Sequence, residues 1–400
     1  MINLPQDVCQ LVEKTLNQSL DNLVVTVHTG NKKGEGYIGE IIFASFKNKE
    51  TLKEDHLVIK KVFPSDREET TNFLSNCYLN EINFYTNVWP AFEKFRKSFV
   101  STKLLDLVPK CYGTSSVRGS EKVILENFKF QNYEVHPKKV LVSDALYEEI
   151  FKLYGQFHAI SFAMRHHQPK EYQTLTKPLH NNWLGLTHTD LFKSGVIDSF
   201  RVMEKILESK KEDELLTKIQ PYVQNGFKIF DKAANYQTAY PVINHGDCWS
   251  NNMLVKYNSL KKIEDIKFID FQMCMSGSPV YDLSYSFYSG ASKESLKNWE
   301  KYLKIYHNSL DKSLKGYNLK VDDIYPYTEL VKEWKNNVQF AFIMSLLMWG
   351  AKFIKEDEVR DLDVSDGELD LQHLVETEEY SQGILNLVKH FDENGFLVSS

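Results

Sequence analysis

The stretch H-G-D-C-W-S-N-N runs from His245 to Asn252, and after a short apolar run the chain continues as I-D-F-Q-M-C-M-S-G-S-P-V-Y-D-L, beginning at Ile269. The first stretch places the carboxylate of Asp247 ahead of the amide of Asn252, and the second places Asp270 at the end of a predicted strand. Phosphoryl transfer from Mg-ATP uses such groups, because one carboxylate accepts the proton of the acceptor hydroxyl while an amide and a second carboxylate hold the metal. The pattern predicts a kinase.

The residues around these motifs predict how they come together. An apolar run from Met253 to Val255 follows Asn252, and a second run, I-K-F-I, leads into Asp270. Turn-like residues separate the two runs, so we expect a β-hairpin that brings Asn252 and Asp270 close to each other. The alternative is an Asx turn at Asp247 and an ordinary strand end at Asp270.

A kinase site also needs a lysine from another part of the chain, and a lysine doublet is present near the N-terminus. The run H-L-V-I-K-K-V-F, from His56 to Phe63, is rich in β-branched residues and predicts a strand with Lys60 and Lys61 in its middle. One of the two lysines must point inward, but strand alternation alone does not choose between them.

A glutamate partner for this lysine follows in a predicted helix. The pattern from Arg67 to Val88 is helical, and Pro90 is expected to end the helix. Glu81 comes four residues after Cys77, on the apolar face of this helix. A carboxylate that faces the protein body is costly unless it is paired, so we expect an ion pair between Glu81 and a strand lysine. A partly exposed Glu81 with a packed stem is the alternative.

A glycine-rich sequence and a later strand predict where the nucleotide would lie. Gly34, Gly36 and Gly39 form a G-x-G-x-x-G pattern between two strand-like runs, which is the context of a kinase phosphate-covering loop rather than of a dinucleotide site. A plain glycine-rich hairpin turn is the other reading. The apolar run V-I-L then ends at Glu126, and a kinase hinge between Glu126 and Phe128 would offer backbone groups to adenine.

In this order the motifs resemble those of the ecdysteroid kinase-like family of insect small-molecule kinases, a choline-kinase-like group related to aminoglycoside phosphotransferases. The similarity spans most of the chain from about residue 30, and its most specific parts are H-G-D-x-W-x-x-N and D-F-Q. The motifs that carry the resemblance are K-G-E-G-Y, the strand lysine before Pro64, E-I-N-F-Y, V-I-L-E-N, H-G-D-C-W-S-N-N, I-D-F-Q and S-P-V-Y-D-L.

The resemblance implies an α+β, protein-kinase-like, two-lobed fold with a small sheet-plus-helix N-lobe and a mostly helical C-lobe. It implies ATP and Mg²⁺ as cofactors and a hydroxyl of a steroid or another lipophilic small molecule as the acceptor. The roles that it implies for individual residues are a catalytic base at Asp247, magnesium ligands at Asn252 and Asp270, a phosphate-contacting lysine at Lys61 with Glu81 as its partner, and structural support from His245 and Asp282.

Three positions bear on how far the resemblance carries. Gly39 stands where many relatives have a serine, so a hydroxyl contact to phosphate is not expected there. Lys61 is preferred over Lys60 because its spacing to Pro64 fits the family pattern. Gln272 follows D-F where protein kinases have glycine, so the regulatory flip of that segment is less expected.

Composition and charge are those of an ordinary soluble enzyme. A net charge of -6 and a pI near 6.1 argue against a general nucleic-acid binder. The five cysteines include no C-x-x-C pair, which predicts free thiols in a reducing compartment. We see no signal-peptide pattern and no run long enough to span a membrane, and we therefore expect a cytoplasmic protein.

The predicted organisation has three parts: an N-terminal helix in residues 1–20, a nucleotide-covering sheet and helix in residues 21–127, and the catalytic hairpins with the acceptor pocket in residues 128–400. Residues 354–374 are strongly acidic, and we interpret them as a solvated loop, with a gate over the acceptor pocket as the other reading.

The acceptor is predicted only by class. Trp249 lies between the catalytic aspartate and asparagine and is the best candidate to touch the acceptor. The preferred acceptor is an ecdysteroid or a dietary steroid or phenolic. Three alternatives remain: a catalytically weak hormone-binding protein on the same fold, a choline-type kinase, and a protein kinase, which the short region between Asp270 and Asp282 argues against.

Overall fold

The computed structural model describes residues 4–28, 38–99, 105–187, 189–354 and 372–398. Within these ranges antiparallel sheets combine with many helices, which confirms the predicted α+β class. The sheet comes first in the chain and most of the helices follow it. Gly34 and Gly36 of the glycine-rich pattern, and most of the acidic residues 354–374, lie outside the described residues.

An antiparallel sheet of five strands forms the N-terminal part of the described chain. Its strands are β1 (Leu23–His28), β2 (Gly39–Asn48), β3 (Glu54–Val62), β4 (Cys111–Ser115) and β5 (Lys122–Glu126). Their order across the sheet is β1-β2-β3-β5-β4, so β3 lies in the centre and pairs with β2 and β5. The predicted lysine-bearing strand is confirmed as β3.

The two faces of this sheet have different neighbours. On one face, helix α1 (Gln6–Leu16) buries Val8 and Val12 against Leu57 and Ile59 of β3. On the other face, Val62 of β3 belongs to the main hydrophobic core. Because side chains alternate along a strand, Lys61 points toward α1 and Lys60 points toward the main core.

The predicted helix after β3 is present but does not stop at Pro90. Helix α2 (Glu68–Asn83) continues through a π-helical segment (Phe84–Val88) into α3 (Trp89–Phe99). In this wide turn the N–H of Trp89 donates to the carbonyl of Phe84, five residues earlier. Proline has no N–H to donate and needs room for its ring, and a π turn just before it relaxes both constraints. The predicted stop is wrong for this reason.

The rest of the described chain is mostly helical, with short strands near the two aspartate motifs. The helices are α4 (Asp144–His167), α5 (Pro169–Thr176), α6 (Asn182–Leu186), α7 (Asp190–Ser209), α8 (Asp213–Ala234), α9 (Pro279–Tyr288), α10 (Lys293–Lys297), α11 (Trp299–Lys315), α12 (Val321–Ile324), α13 (Tyr327–Phe353) and α14 (Glu378–Glu393). The strands are β6 (Tyr133–Val135), β7 (Val242–Ile243), β8 (Met253–Tyr257), β9 (Ile263–Phe268) and β10 (Ser276–Gly277).

Two further predictions can be compared with this architecture. None of the five cysteines, all within the described ranges, forms a disulfide. Among the helices of these ranges, none has the length and apolar character that crossing a bilayer requires. The apolar run from Phe340 onward lies inside α13, where most of its side chains are buried in the main core.

Candidate active site

The turn that carries Asp247 is fixed by a fully buried carboxylate. Asp282, on α9, accepts hydrogen bonds from the backbone N–H groups of His245 (2.8 Å) and Gly246 (2.9 Å) and from the Nε2 atom of His158 on α4 (3.0 Å). Burial acts to raise the pKa of Asp282, but the hydrogen bond and the charge of His158 outweigh it and hold that pKa below its ordinary value. An ionised Asp282 therefore anchors the turn, and the buried His158 supports that carboxylate.

Gly246 is required by the geometry of this turn. Its φ is +88°, and a Cβ atom added there would lie 2.0 Å from the carbonyl oxygen of Met273. The glycine therefore allows the turn to approach the segment after Asp270 at backbone distance. His245 contributes a second tie between the two motifs, because its Nε2 atom lies 2.8 Å from the carbonyl oxygen of Ile269.

Asp247 projects from this turn with both carboxylate oxygens engaged. The Nδ2 atom of Asn252 donates to Oδ2 at 2.8 Å, and the hydroxyl of Tyr285 donates to Oδ1 at 3.2 Å. Burial, with the nearby charge of Asp270, raises the pKa of Asp247 to about 7, although both hydrogen bonds act to lower it. A carboxylate with a pKa near 7 is suited to accept a proton at neutral pH.

The predicted hairpin brings the second motif next to the first. Strands β8 and β9 pair in antiparallel register from Met253 to Phe268, and the N–H of Ile269 donates to the carbonyl of Asn252 at 3.0 Å. Asp270 follows with φ +71° and ψ +66°. A non-glycine residue in this left-handed region costs about 1 kcal/mol or more, and such conformations concentrate at functional sites. The hairpin prediction is confirmed.

Lys60, not Lys61, is the lysine that enters the site. Its Nζ atom lies 2.6 Å from Oε2 of Glu81 and 2.6 Å from Oδ1 of Asp270. The predicted pairing of Glu81 with Lys61 is therefore wrong. Lys61 lies on the opposite face of the sheet, where its Nζ is 3.8 Å from the carboxylate of Asp7 on α1. Helix α1 covers that face and so decides which lysine points inward.

The lysine and the glutamate of this ion triplet are almost fully enclosed, whereas the side chain of Asp270 is 24% exposed. Lys60 is 8% exposed and Glu81 only 1% exposed. Burial acts to lower the pKa of Lys60, but the charges of Asp270 and Glu81 outweigh it and raise that pKa above its ordinary value. Lys60 therefore carries a positive charge at neutral pH, in a position that faces the aspartate at the end of β9.

The remaining predicted nucleotide residues lie along the sheet and after it. Gly39 begins β2, and a Cβ atom there would lie 2.6 Å from the carbonyl oxygen of Lys61, so close packing excludes a larger residue. The N–H of Glu126 already donates to the carbonyl of Lys110 at 2.9 Å. Phe128 has a buried side chain beneath the ammonium of Lys267, so only its backbone could face a nucleotide.

The side chain of Trp249 is less exposed than its predicted contact with the acceptor requires. Its side chain is 5% exposed and belongs to the main core. A contact between Trp249 and an acceptor therefore stays a prediction, and it would need the ring or its neighbours to move.

Sequence reasoning missed two aromatic residues beside Asp247. Tyr285 follows Asp282 by three residues on α9, and the (i, i+3) spacing places both on the helix face that meets the turn carrying Asp247. Trp183, on α6, donates from Nε1 to the carbonyl of Gly246 at 3.2 Å, and its ring meets that of Tyr285 edge-on at 6.0 Å. The helical spacing after Asp282 was a usable signal for Tyr285, whereas Trp183 had no local signal.

The donor set fits a magnesium ion held together with phosphates. The described residues contain no cluster of three or more His, Cys, Asp or Glu side chains able to hold a metal on their own. Mg²⁺ in phosphoryl-transfer sites is usually bound by one or two carboxylates plus substrate phosphates. Here Asp270 supplies a carboxylate, and Asn252 donates its two N–H groups to Asp247, which leaves its amide oxygen to bind a cation.

Comparison with known proteins gives one result that agrees with this geometry. A model of the ecdysteroid kinase-like family matches residues 33–319, which is well over half of the chain and includes both aspartate motifs and the lysine-bearing strand. A search of curated proteins found no match.

Proposed function

This chain belongs to the ecdysteroid kinase-like family, whose members are kinase-like phosphotransferases, and from that premise we propose that it transfers a phosphoryl group from Mg-ATP to a hydroxyl of a lipophilic small molecule. The observation that carries the proposal is the convergence of Asp247, Asn252 and Asp270 with the Lys60–Glu81 pair from the sheet. A protein-kinase-like arrangement of two lobes goes with this proposal, with residues 21–127 covering the nucleotide and residues 128–400 carrying the base and the acceptor pocket.

In the proposed reaction Asp247 accepts the proton of the acceptor hydroxyl as the hydroxyl oxygen bonds to the terminal phosphorus of ATP and ADP leaves. Tyr285 and Asn252 each donate one hydrogen bond to a different carboxylate oxygen, which leaves a lone pair on each oxygen for the proton. Asn252 and Asp270 would hold Mg²⁺, which neutralises charge on the phosphates when it is bound. Lys60 is the phosphate-contacting lysine in this proposal, and its contact with Asp270 places it beside the metal ligand.

A cluster of aromatic rings lies beside Asp247, around Tyr285. Trp183, Tyr285 and Phe340 pack edge-to-face with one another, at ring separations between 5.3 and 6.0 Å. Tyr281 and Phe230 also pack against Phe340. These rings are buried in the main core, so contact with a flat or steroid-like acceptor would need some of them to move, and the proposed acceptor class rests on the family. An ecdysteroid, or a dietary steroid or phenolic compound, is the acceptor class that we propose.

The test is release of ADP from Mg-ATP with a panel of ecdysteroids, plant steroids, phenolics and choline. Asp247→Asn removes the base, and Asp231→Asn, at an exposed position on α8, is the matched control. We expect turnover with at least one steroid or phenolic, lost in Asp247→Asn and retained in Asp231→Asn.

Other results would support a different function for this protein. Tight binding of a steroid with no ADP release, unchanged in Asp247→Asn, would indicate a hormone-binding protein on this fold. Turnover with choline alone would indicate a choline-type kinase. Absence of any nucleotide binding by the wild-type protein would overturn the kinase proposal.

A further inference from the structure

The residue beside Glu81 on α2 is a buried asparagine that bonds to the helical part of the chain. Asn80 has no exposed surface. Its Nδ2 atom donates to the carbonyl oxygens of His180 (2.8 Å) and Cys274 (2.9 Å), and its Oδ1 atom accepts from the N–H of His180 (2.9 Å). A longer contact of 3.4 Å joins Nδ2 to the carbonyl of Gln272. One side chain therefore joins α2 to two segments that lie 100 and 194 residues away in sequence.

Residues 180–186, which we call the bridging segment, contact the other two parts of the site as well. Asn182 donates from Nδ2 to the carbonyl of Gln272, two residues after Asp270, at 2.9 Å. Trp183 donates to the carbonyl of Gly246, directly before Asp247. The bridging segment thus bonds to α2, to the segment after Asp270 and to the turn that carries the base.

The bridging segment also packs closely on α2 more than one turn away from Asn80. A Cβ atom added at Gly185 would lie 3.0 Å from the ring of Phe73, so α6 approaches α2 closely and a larger residue there would require the ring to shift by a few tenths of an ångström. Polar contacts at Asn80 and apolar contacts at Phe73 therefore hold α2 at two levels along its length.

The position of Asn80 makes these bonds selective for one placement of α2. Consecutive helix residues point about 100° apart, so Asn80 can face the bridging segment while Glu81 faces Lys60. If α2 turned or moved outward, buried N–H and C=O groups of the bridging segment would lose their partners, which is strongly unfavourable in a buried environment.

We propose that Asn80, acting through the bridging segment, is a positioning residue for the nucleotide site: it holds α2 where Glu81 pairs with Lys60 before ATP binds. The inference rests on the proposed function, because its consequence is an ATP site that is already assembled. Since the same segment bonds to Gly246, this placement of α2 is also tied to the turn that carries the base.

The test compares binding of Mg-AMPPNP, a non-hydrolysable ATP analogue, to four variants by calorimetric titration. Asn80→Ala removes the contacts, and Asn87→Ala, an exposed asparagine between α2 and α3, is the matched control. Glu81→Gln removes the charge partner of Lys60, and the double variant combines Asn80→Ala with Glu81→Gln. We expect about tenfold weaker binding for Asn80→Ala, because the assembled site is populated less often, and a change within twofold for Asn87→Ala.

The double variant separates positioning from general support of the fold. If Asn80 acts through Glu81, the double variant binds no more weakly than Glu81→Gln alone, because the pair that Asn80 positions is already lost. Effects that multiply, or an Asn80→Ala affinity equal to that of the wild type, would overturn the inference.

A milder variant covers the case in which Asn80→Ala does not fold. Asn182→Ala removes the bond to Gln272 and leaves those of Asn80, and we expect about threefold weaker binding with an unchanged far-ultraviolet circular dichroism spectrum. No loss of affinity in this variant would then count against the inference. If the wild-type protein itself binds no Mg-AMPPNP, the proposed function fails and this inference fails with it, whereas normal wild-type binding with insensitive variants contradicts the inference alone.

Discussion

The carboxylate of Asp247 combines an elevated pKa with two hydrogen bonds that oppose the elevation. Burial and the charge of Asp270 raise its pKa to about 7, while the hydroxyl of Tyr285 and the amide of Asn252 stabilise the ionised form. A base must be ionised to accept a proton, so the proposed activity should fall as the pH drops below about 7. Tyr285 is the group that can be altered most cleanly, because a phenylalanine keeps its ring contacts with Trp183 and Phe340.

Tyr285→Phe is predicted to shift the pH dependence of the reaction. Loss of a hydrogen bond that favours the ionised form raises the pKa of Asp247. A larger fraction of the Asp247 carboxyl groups is then protonated at a given pH. We expect the acid limb of kcat/KM to move upward by roughly half a pH unit to one pH unit, since one such bond is worth about 1 kcal/mol.

Steady-state rates between pH 5.5 and 9 measure this shift, with whichever acceptor gives turnover. Tyr288→Phe is the control, because Tyr288 is equally buried on α9 but its hydroxyl lies beside His390 rather than beside Asp247. A uniform loss of rate at every pH, with the acid limb unmoved, would show that Tyr285 does not act through the protonation of Asp247.

At the scale of single elements, the alternation of side chains along strand β3 gives its two neighbouring lysines different partners. Leu57 and Ile59 face α1, so Lys61 shares their side and contacts Asp7. Lys60 faces the other side and pairs with Glu81 and Asp270. A shift of the strand by one residue would exchange the two lysines, and the register with β2 and β5 prevents it.

We therefore predict that substitutions at these two adjacent positions change kcat/KM to very different extents. Lys60→Met should lower kcat/KM on the order of 100-fold, because it removes a fixed positive charge from the phosphate site. Lys61→Met should leave kcat/KM within a few-fold of the wild type, because its partner Asp7 lies on the far face of the sheet. Initial rates at varied Mg-ATP concentration measure both. Equal losses in the two variants would mean that the strand does not present Lys60 alone to the nucleotide.

At the scale of the whole molecule, the proposed nucleotide site is assembled from parts that are distant in sequence. Lys60 and Asp270 are 210 residues apart, yet their side chains touch. A ligand that bridges the five-stranded sheet and the β8–β9 hairpin should therefore stabilise the entire fold, because it binds only when both parts are in place.

Mg-ATP is predicted to raise the midpoint of thermal unfolding by a few degrees. At 100 times the dissociation constant a ligand stabilises the native state by about 2.7 kcal/mol. Removal of the metal with EDTA should abolish most of this increase, and Asp270→Asn should abolish its dependence on magnesium. Differential scanning fluorimetry measures the midpoints, with EDTA alone as the control for effects on the apoprotein. An increase of the same size with ATP and EDTA would contradict the assignment of Asp270 as a metal ligand.

Some features of this protein follow from local sequence. The alternation of β-branched residues around the lysine doublet determined a strand, and the apolar runs on either side of a turn determined the hairpin between Asn252 and Asp270. The spacing within H-G-D-C-W-S-N-N indicated the chemistry, because an aspartate and an asparagine on one short turn must lie close together. These features depend on neighbours within a few residues, which a sequence pattern records directly.

Other features were decided only by the tertiary structure. The choice of Lys60 over Lys61 depends on α1, a helix distant in sequence that covers one face of the sheet. Continuation of the helix through Pro90 depends on a π-helical turn that no sequence pattern predicted. The contacts of Tyr285 with Asp247 and of Asn80 with the bridging segment join residues 38 and 100 positions apart. Local periodicity shows which residues face inward, but it does not show which distant groups they contact. The candidate site is formed by those long-range contacts.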